Sequence, residues 1–240
     1  MTARVAPSQA PLRASIIVND RAIDGVALCG ALDGGSPNPV LRPSLAQLER
    51  LTRVAKARGI QVLRLIGGEP LLREDIFDCV AGIHQAGLAV ELVTSGRLLL
   101  YPKLRRDLAA AGLAALHVPL HASSSELHDA LVRVPGAWDQ VTRALGRLRR
   151  ADDRPPLHLR VGLGGPEIDR LSGLPALARR LGARQIDLCH EPEGSERAQG
   201  EVATEPWRRL LQAFGDEASS QGIEWSVYGL PACLFHREGP

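Results

Sequence analysis

The chain has 240 residues, 45% of them hydrophobic and 3% aromatic, and 29 Lys and Arg against 27 Asp and Glu leave a formal net charge of +2. This length supports one sizeable core of the kind an α/β barrel needs. The near-balanced charge gives no argument for a nucleic-acid partner, the scarce aromatics leave little for base stacking, and no apolar run approaches the roughly 18 residues that span a bilayer.

Residues 1–13 read as a flexible tail without the apolar core of a signal peptide, and 14–240 as a single domain. A cytoplasmic location is expected, with neither nucleic acid nor membrane as partner. Cys29, Cys79, Cys189 and Cys233 lie far apart with no C-x-x-C pair, and in a reducing compartment they need no disulfides. Ala14 to Asn19 is a first strand. Asp20 to Pro43 forms a long loop, and such a length inside a compact domain marks a functional or disordered segment. Ser44 caps a helix through about Arg58, with Leu45, Leu48, Leu51 and Val54 at core-facing spacing and Gly59 ending it.

The next stretch, V-L-R-L-I-G-G-E-P from Val62 to Pro70, is the one around which the chain is organised. A short apolar run suits a buried parallel strand, and the two glycines permit a sharp turn at its carboxyl end. Glu69 then falls at the rim where parallel α/β proteins carry their ligands. A strand-to-helix turn with a solvated glutamate explains G-G-E alone equally well.

The pattern repeats along the chain. Helices are expected at about 73–86, 102–111, 124–150 (interrupted at Pro135-Gly136), 167–181 and 204–221. Strands are expected at 89–95, 115–121, 157–163, 185–190 and, as a possible seventh, 223–228. Alternation of strand and Gly-closed helix means a parallel sheet with helical crossovers. The strand count favours a partial (β/α)6 barrel of the TIM type, with an open doubly wound sheet as the rival. No G-x-G-x-x-G follows the first strand.

Three segments then fall in a telling order: G-G-E-P-L-L-R at Gly67–Arg73, V-T-S-G-R at Val93–Arg97, and the stretch from His117 to Trp138 with its S-x-E-x-H-D helix start and P-G-A-W turn. Together they resemble the radical SAM superfamily, in particular its peptide-modifying, maturase-like branch. The resemblance implies a partial barrel, and it implies binding of S-adenosylmethionine or a relative with the amino-acid end against Gly67, Gly68, Glu69 and Pro70. Ser95, His121 and Arg160 would line the same mouth, along with His158, Gly162 and the G-L-G-G-P turn at Gly162–Pro166. Retention of Glu69 for folding alone stands beside the binding reading.

The sequence also departs from that family. The C-x-x-x-C-x-x-C positions that would bind a [4Fe-4S] cluster fall on Ala22, Val26 and Cys29, and Cys29 is the only cysteine before Cys79. Ala and Val cannot ligate iron, so no [4Fe-4S] cluster is expected. His121, Cys189, His190 and Glu191 fall at strand ends and could in principle form a replacement metal site with Cys29, although packing explains them more simply. Cys79 and Cys233 read as apolar thiols, His84 as a surface residue, and Ser123-x-x-Glu126 as a capping box.

The expected function is therefore that of a radical-SAM-like barrel without its cluster. Such a protein is a non-catalytic partner in peptide or natural-product modification, binding a precursor peptide or an active radical enzyme. One alternative is an enzyme that reuses the pocket for non-radical, S-adenosylmethionine-dependent chemistry. The other is an ordinary radical SAM enzyme, should the register set for the loop be wrong.

Overall fold

The computed structural model describes residues 11–19, 21, 23, 42–151, 154–164, 168–190 and 204–230. Ala22, Val26, Cys29, Gly165, Pro166, Glu191 and Cys233 lie outside these described residues. Seven strands form one sheet in sequential order: β1 (Arg13–Asn19), β2 (Val62–Gly67), β3 (Ala89–Val93), β4 (Ala115–Pro119), β5 (Leu157–Leu163), β6 (Gln185–His190) and β7 (Glu224–Tyr228). Every neighbouring pair is parallel, and β1 and β7 do not pair with each other. The sheet is thus an unclosed barrel, and the seventh strand is real.

The helices follow in chain order: α1 (Leu45–Ala57), α2 (Ile76–Gln85), α3 (Pro102–Ala110), α4 (Ser125–Val132), α5 (Ala137–Leu148), α6 (Ile168–Leu171), α7 (Leu174–Leu181) and α8 (Thr204–Gln221). No helix of the described residues is long and apolar enough to cross a membrane. Ser44 caps α1 in a reciprocal box with Gln47. The expected α1 stripe needs correction. Leu48 is buried, but Leu51 and Val54 are exposed, and the second buried residue is Thr52, whose hydroxyl donates to Leu48 O at 2.8 Å. A 3.6-residue period carries the buried face from 48 to 52 and 55, so the apolar 51 and 54 fall off it.

Side-chain alternation divides the sheet into two faces. Leu63, Leu65, Val90, Leu92, Leu116, Val118, Leu157, Leu159, Val161, Ile186 and Leu188 belong to the apolar core under the helices. Burying each such side chain contributes about 1.5–3 kcal/mol. The intervening residues, Arg64, Glu91, His117, His158, Arg160, Gln185, Asp187 and Ser226, share the opposite, lumen-facing parity. A closed eight-stranded barrel packs branched apolar side chains there. This barrel holds charge instead.

Candidate functional site

The β2 turn is tied to the end of β1. Gly68 N donates to Asn19 O at 2.8 Å, Glu69 N to Arg21 O at 2.6 Å, and Asn19 Nδ2 to Glu69 O at 2.8 Å. Gly67 has φ +148°, and a Cβ there would lie 2.0 Å from the Asn19 carbonyl oxygen. The first glycine of the motif therefore exists to let two backbones meet. Arg73, at the far end of the motif, is buried and donates to Val18 O at 3.2 Å and Pro43 O at 2.7 Å while pairing with Asp75.

Glu69 is wholly buried rather than solvated. Its Oε1 accepts from Leu71 N at 3.0 Å and Thr94 Oγ1 at 2.8 Å, and its Oε2 from Ser95 N at 2.9 Å and Ser95 Oγ at 2.6 Å. These four bonds occupy the lone pairs that a carboxylate offers. Burial raises its pKa above the ordinary carboxylate value, against the lowering effect of the same hydrogen bonds. Ser95, expected along the mouth, is likewise buried and spends both donors on Glu69. Pro70 opens a buried 3-10 turn, Pro70–Leu72, which explains why α2 starts at Ile76 rather than near Arg73.

On the opposite rim, His121 Nδ1 accepts from Gly162 N at 3.1 Å, and His128 Nδ1 accepts from His121 N at 3.2 Å. Each ring thus takes over a backbone bond where β4 leaves β5, and each must keep a bare Nδ1. Burial lowers the His121 pKa to about 3, with the nearby His128 and Arg170 adding to it, and lowers that of His128 to about 4. Both rings are neutral. Ser124, not Ser123, caps α4 by accepting from Leu127 N, while Ser123 Oγ donates across to Ser172 O at 2.7 Å. Asp129 accepts from Gly136 N and Trp138 N, closing the P-G-A-W turn.

Arg160 places Nη2 3.1 Å from Cys189 Sγ. His190 points away from that pair, with Nδ1 3.1 Å from Leu163 O and its ring edge-on to Trp207 at 4.8 Å. The described members of the suggested replacement metal set, His121, Cys189 and His190, are therefore each engaged separately. His84 is exposed, as expected.

The residues that do converge were not singled out as a group by the sequence. Arg64 donates to Glu91 Oε2 through Nε at 2.9 Å and Nη2 at 2.7 Å, and His117 Nε2 lies 3.1 Å from the same oxygen. On its other side His117 Nδ1 faces Asp187 Oδ2 at 3.6 Å, and its ring lies 4.8 Å from that of His158. Asp187 Oδ1 accepts from Gln185 and Ser226, each at 2.7 Å. Burial works to raise the Glu91 pKa, but His117 and Arg64 overrule it and hold the carboxyl down to about 2. Asp187 is likewise held below the ordinary value by His117 and Ser226 against the opposing effect of burial. The signal was present in the sequence as single charged residues between buried leucines, isoleucines and valines, at 64, 91, 158, 160 and 187.

The sequence model described as "Radical SAM superfamily" matches residues 29–170, more than half of the chain. This chain belongs to the radical SAM superfamily. It is 32% identical over 167 residues to an AdoMet-dependent heme synthase of Methanosarcina barkeri, covering 69% of this chain and 47% of that protein. It is 33% identical over 162 residues to a GTP 3',8-cyclase of Heliobacterium modesticaldum, covering 66% and 49%. The chain spans about half the length of these curated relatives. Among solved structures, Streptococcus suis SuiB bound to precursor peptide SuiA superposes with a TM-score of 0.71 at 16% identity, covering 94% of this chain and 50% of that one. That likeness shows the unclosed barrel shared by radical SAM proteins.

Membership raises the question of whether the residues present fit the superfamily's iron–sulfur cluster. The described thiols are Cys79 and Cys189, both buried. Cys79 sits in α2 within the helix layer, where burial pushes its thiol up to about 11, far from the thiolate that iron needs. Cys189 stands in the lumen against Arg160. The described residues therefore offer no set of three thiolates, and in the strand-1 loop Ala22 and Val26 carry no ligand atom.

Proposed function

We propose that the protein is a radical SAM superfamily enzyme that works in the lumen beneath the carboxyl-end mouth of its barrel, with S-adenosylmethionine or a relative held at that mouth. The single observation that carries this reading is the charged lumen. Arg64, Glu91, His117, His158 and Asp187 occupy positions that a closed barrel fills with apolar side chains, and ionisable groups gathered on one inner face mark a candidate site. The enzymes named among its relatives support the same reading.

In this proposal the parts have separate tasks. The Glu69 carboxylate and Ser95 lock β2 to β3 and so shape the turn, and the ammonium of the ligand meets the backbone of Gly67 and Gly68 beside Pro70. His121 stays neutral and offers no charge to repel a sulfonium. Arg160 is the cation that orients an anionic group of the ligand or substrate toward β5 and β6. When bound, S-adenosylmethionine supplies a sulfonium whose carbon–sulfur bonds are the ones to be broken. A peptide is the substrate class favoured by the likeness to SuiB, whose structure holds a precursor peptide.

A second reading, a non-catalytic partner of a precursor peptide or of an active radical enzyme, is favoured by Ala22 and Val26 at two cluster positions. One experiment separates the readings. The protein is reconstituted anaerobically, its iron and sulfide are counted, and S-adenosylmethionine binding is followed by calorimetry with product analysis under a strong reductant. Binding with product supports the enzyme, and about four irons per chain would make it an ordinary radical enzyme. Binding without any product supports the partner. No binding of either S-adenosylmethionine or S-adenosylhomocysteine sinks the proposal.

A further inference from the structure

The gap between His117 and Asp187 calls for a positive charge. Glu91 Oε2 lies 3.1 Å from His117 Nε2, and an Nε2 proton donated to that carboxylate makes Nδ1 the nitrogen that meets a cation, whether a proton or a metal ion. The 3.5 Å approach of Arg64 Nη2 to Nε2 stands at the limit of hydrogen bonding and does not compete. Nδ1 is buried, has no hydrogen-bond partner, and faces Asp187 Oδ2 at 3.6 Å. Gln185 and Ser226 fix Asp187 from behind through Oδ1, which aims Oδ2 into the gap. An imidazole nitrogen and a carboxylate oxygen at this separation hold a cation between them, either a proton or a metal ion.

We infer that His117, His158 and Asp187 form a binding site for one divalent first-row transition ion of the zinc or ferrous class, supported by Glu91, Gln185 and Ser226. The donor atoms of the three residues lie within 4.8 Å of one another. Donors around a tetrahedral ion stand about 3.4 Å apart, given metal–ligand distances of about 2.0–2.2 Å. The Nδ1–Oδ2 separation of 3.6 Å already meets this, and the donor of the half-buried His158 lies within 4.8 Å of both. A carboxylate on the far nitrogen of a ligating histidine is the usual support for such a ligand, and Glu91 supplies it. Asp187 supplies the anionic ligand, while the Glu91 charge is shared with Arg64. Two imidazoles and one carboxylate leave a coordination position for water or a substrate oxygen.

The inference does not depend on S-adenosylmethionine binding. The rival is a proton, which would make His117 an imidazolium between two carboxylates. The test uses tag-free full-length protein stripped with a chelator and titrated with zinc, then with cobalt as a spectroscopic probe. One metal per chain is expected, with visible cobalt absorption and a raised melting temperature. Asp187→Asn and His158→Ala should each weaken binding at least tenfold while leaving a folded circular dichroism spectrum, and Glu91→Gln should weaken it roughly tenfold. Cys189→Ala should bind as the parent does. If a variant fails to fold, nitrogen NMR of the parent decides. Loss of the Nδ1 proton signal, or a shift of Nδ1 on zinc addition, supports the site. No zinc binding, binding unchanged in the folded variants, or a His117 ring doubly protonated with and without zinc overturns it.

Discussion

The β2–β3 mouth and the β4–β6 lumen belong to one barrel but close their polar groups differently. At the mouth every acceptor of Glu69 is met by a donor from the adjacent turn, and the motif glycine lets two backbones touch. In the lumen His117 keeps a buried nitrogen unmatched, opposite a carboxylate. A saturated network rigidifies, whereas one left open retains affinity for something not yet bound. The Glu69 side chain of the superfamily motif is thus spent within the fold, whereas the lumen keeps a polar atom unmatched.

The largest effect that sharpens this contrast is expected at Gly67. Gly67→Ala drives a Cβ into the Asn19 carbonyl and should cost about 3 kcal/mol or more in urea unfolding. A loss below 1 kcal/mol would show that β1 yields and that the clamp is loose. Glu69→Ala comes next. It strands the Leu71 and Ser95 amides in a buried site, and about 2–3 kcal/mol should be lost by the same measurement. Wild-type stability in this variant would leave Glu69 free for ligand work.

His158→Ala should behave in the opposite way. Its ring is half-buried and touches His117, so stability should change by within about 1 kcal/mol while zinc binding is lost. A large stability loss would make the lumen as structural as the mouth. The smallest effect expected is one of pH. His121 and His128 ordinarily titrate near 6.5, but in the fold their values fall to about 3 and about 4. Their neutral forms are therefore favoured by folding, so stability is full above pH 6.5 and declines as pH falls toward the folded values. Melting temperatures between pH 7.5 and 4.5 should slope downward on acidification, and His121→Gln should flatten part of that slope. An identical slope in the variant would remove His121 from the account.

The element order, the parallel barrel and the superfamily were legible in the sequence, because they rest on local signals: alternating apolar residues, helices closed by glycine, and motif spacing. Helix α1 shows where such reading stops. Leu51 and Val54 are apolar, yet the neighbours present leave them exposed. The same holds at α4, where Ser123 and Ser124 are equal as letters and only the path of the chain selects the cap.

What the sequence alone determined is which residues alternate along each strand and where the chain can turn, since stereochemistry acts between near neighbours. Tertiary structure decided the rest. Glu69 reads as a rim carboxylate until Thr94 and Ser95 are folded over it. Glu91, His117, His158 and Asp187 lie on four different strands, and the registers Glu91 to Ala115, His117 to His158 and Arg160 to Asp187 bring them together. Register is set by strand pairing and by the burial of the apolar face on the other side. Desolvation then turns that proximity into charge coupling, and neither effect is carried by any one segment of the chain.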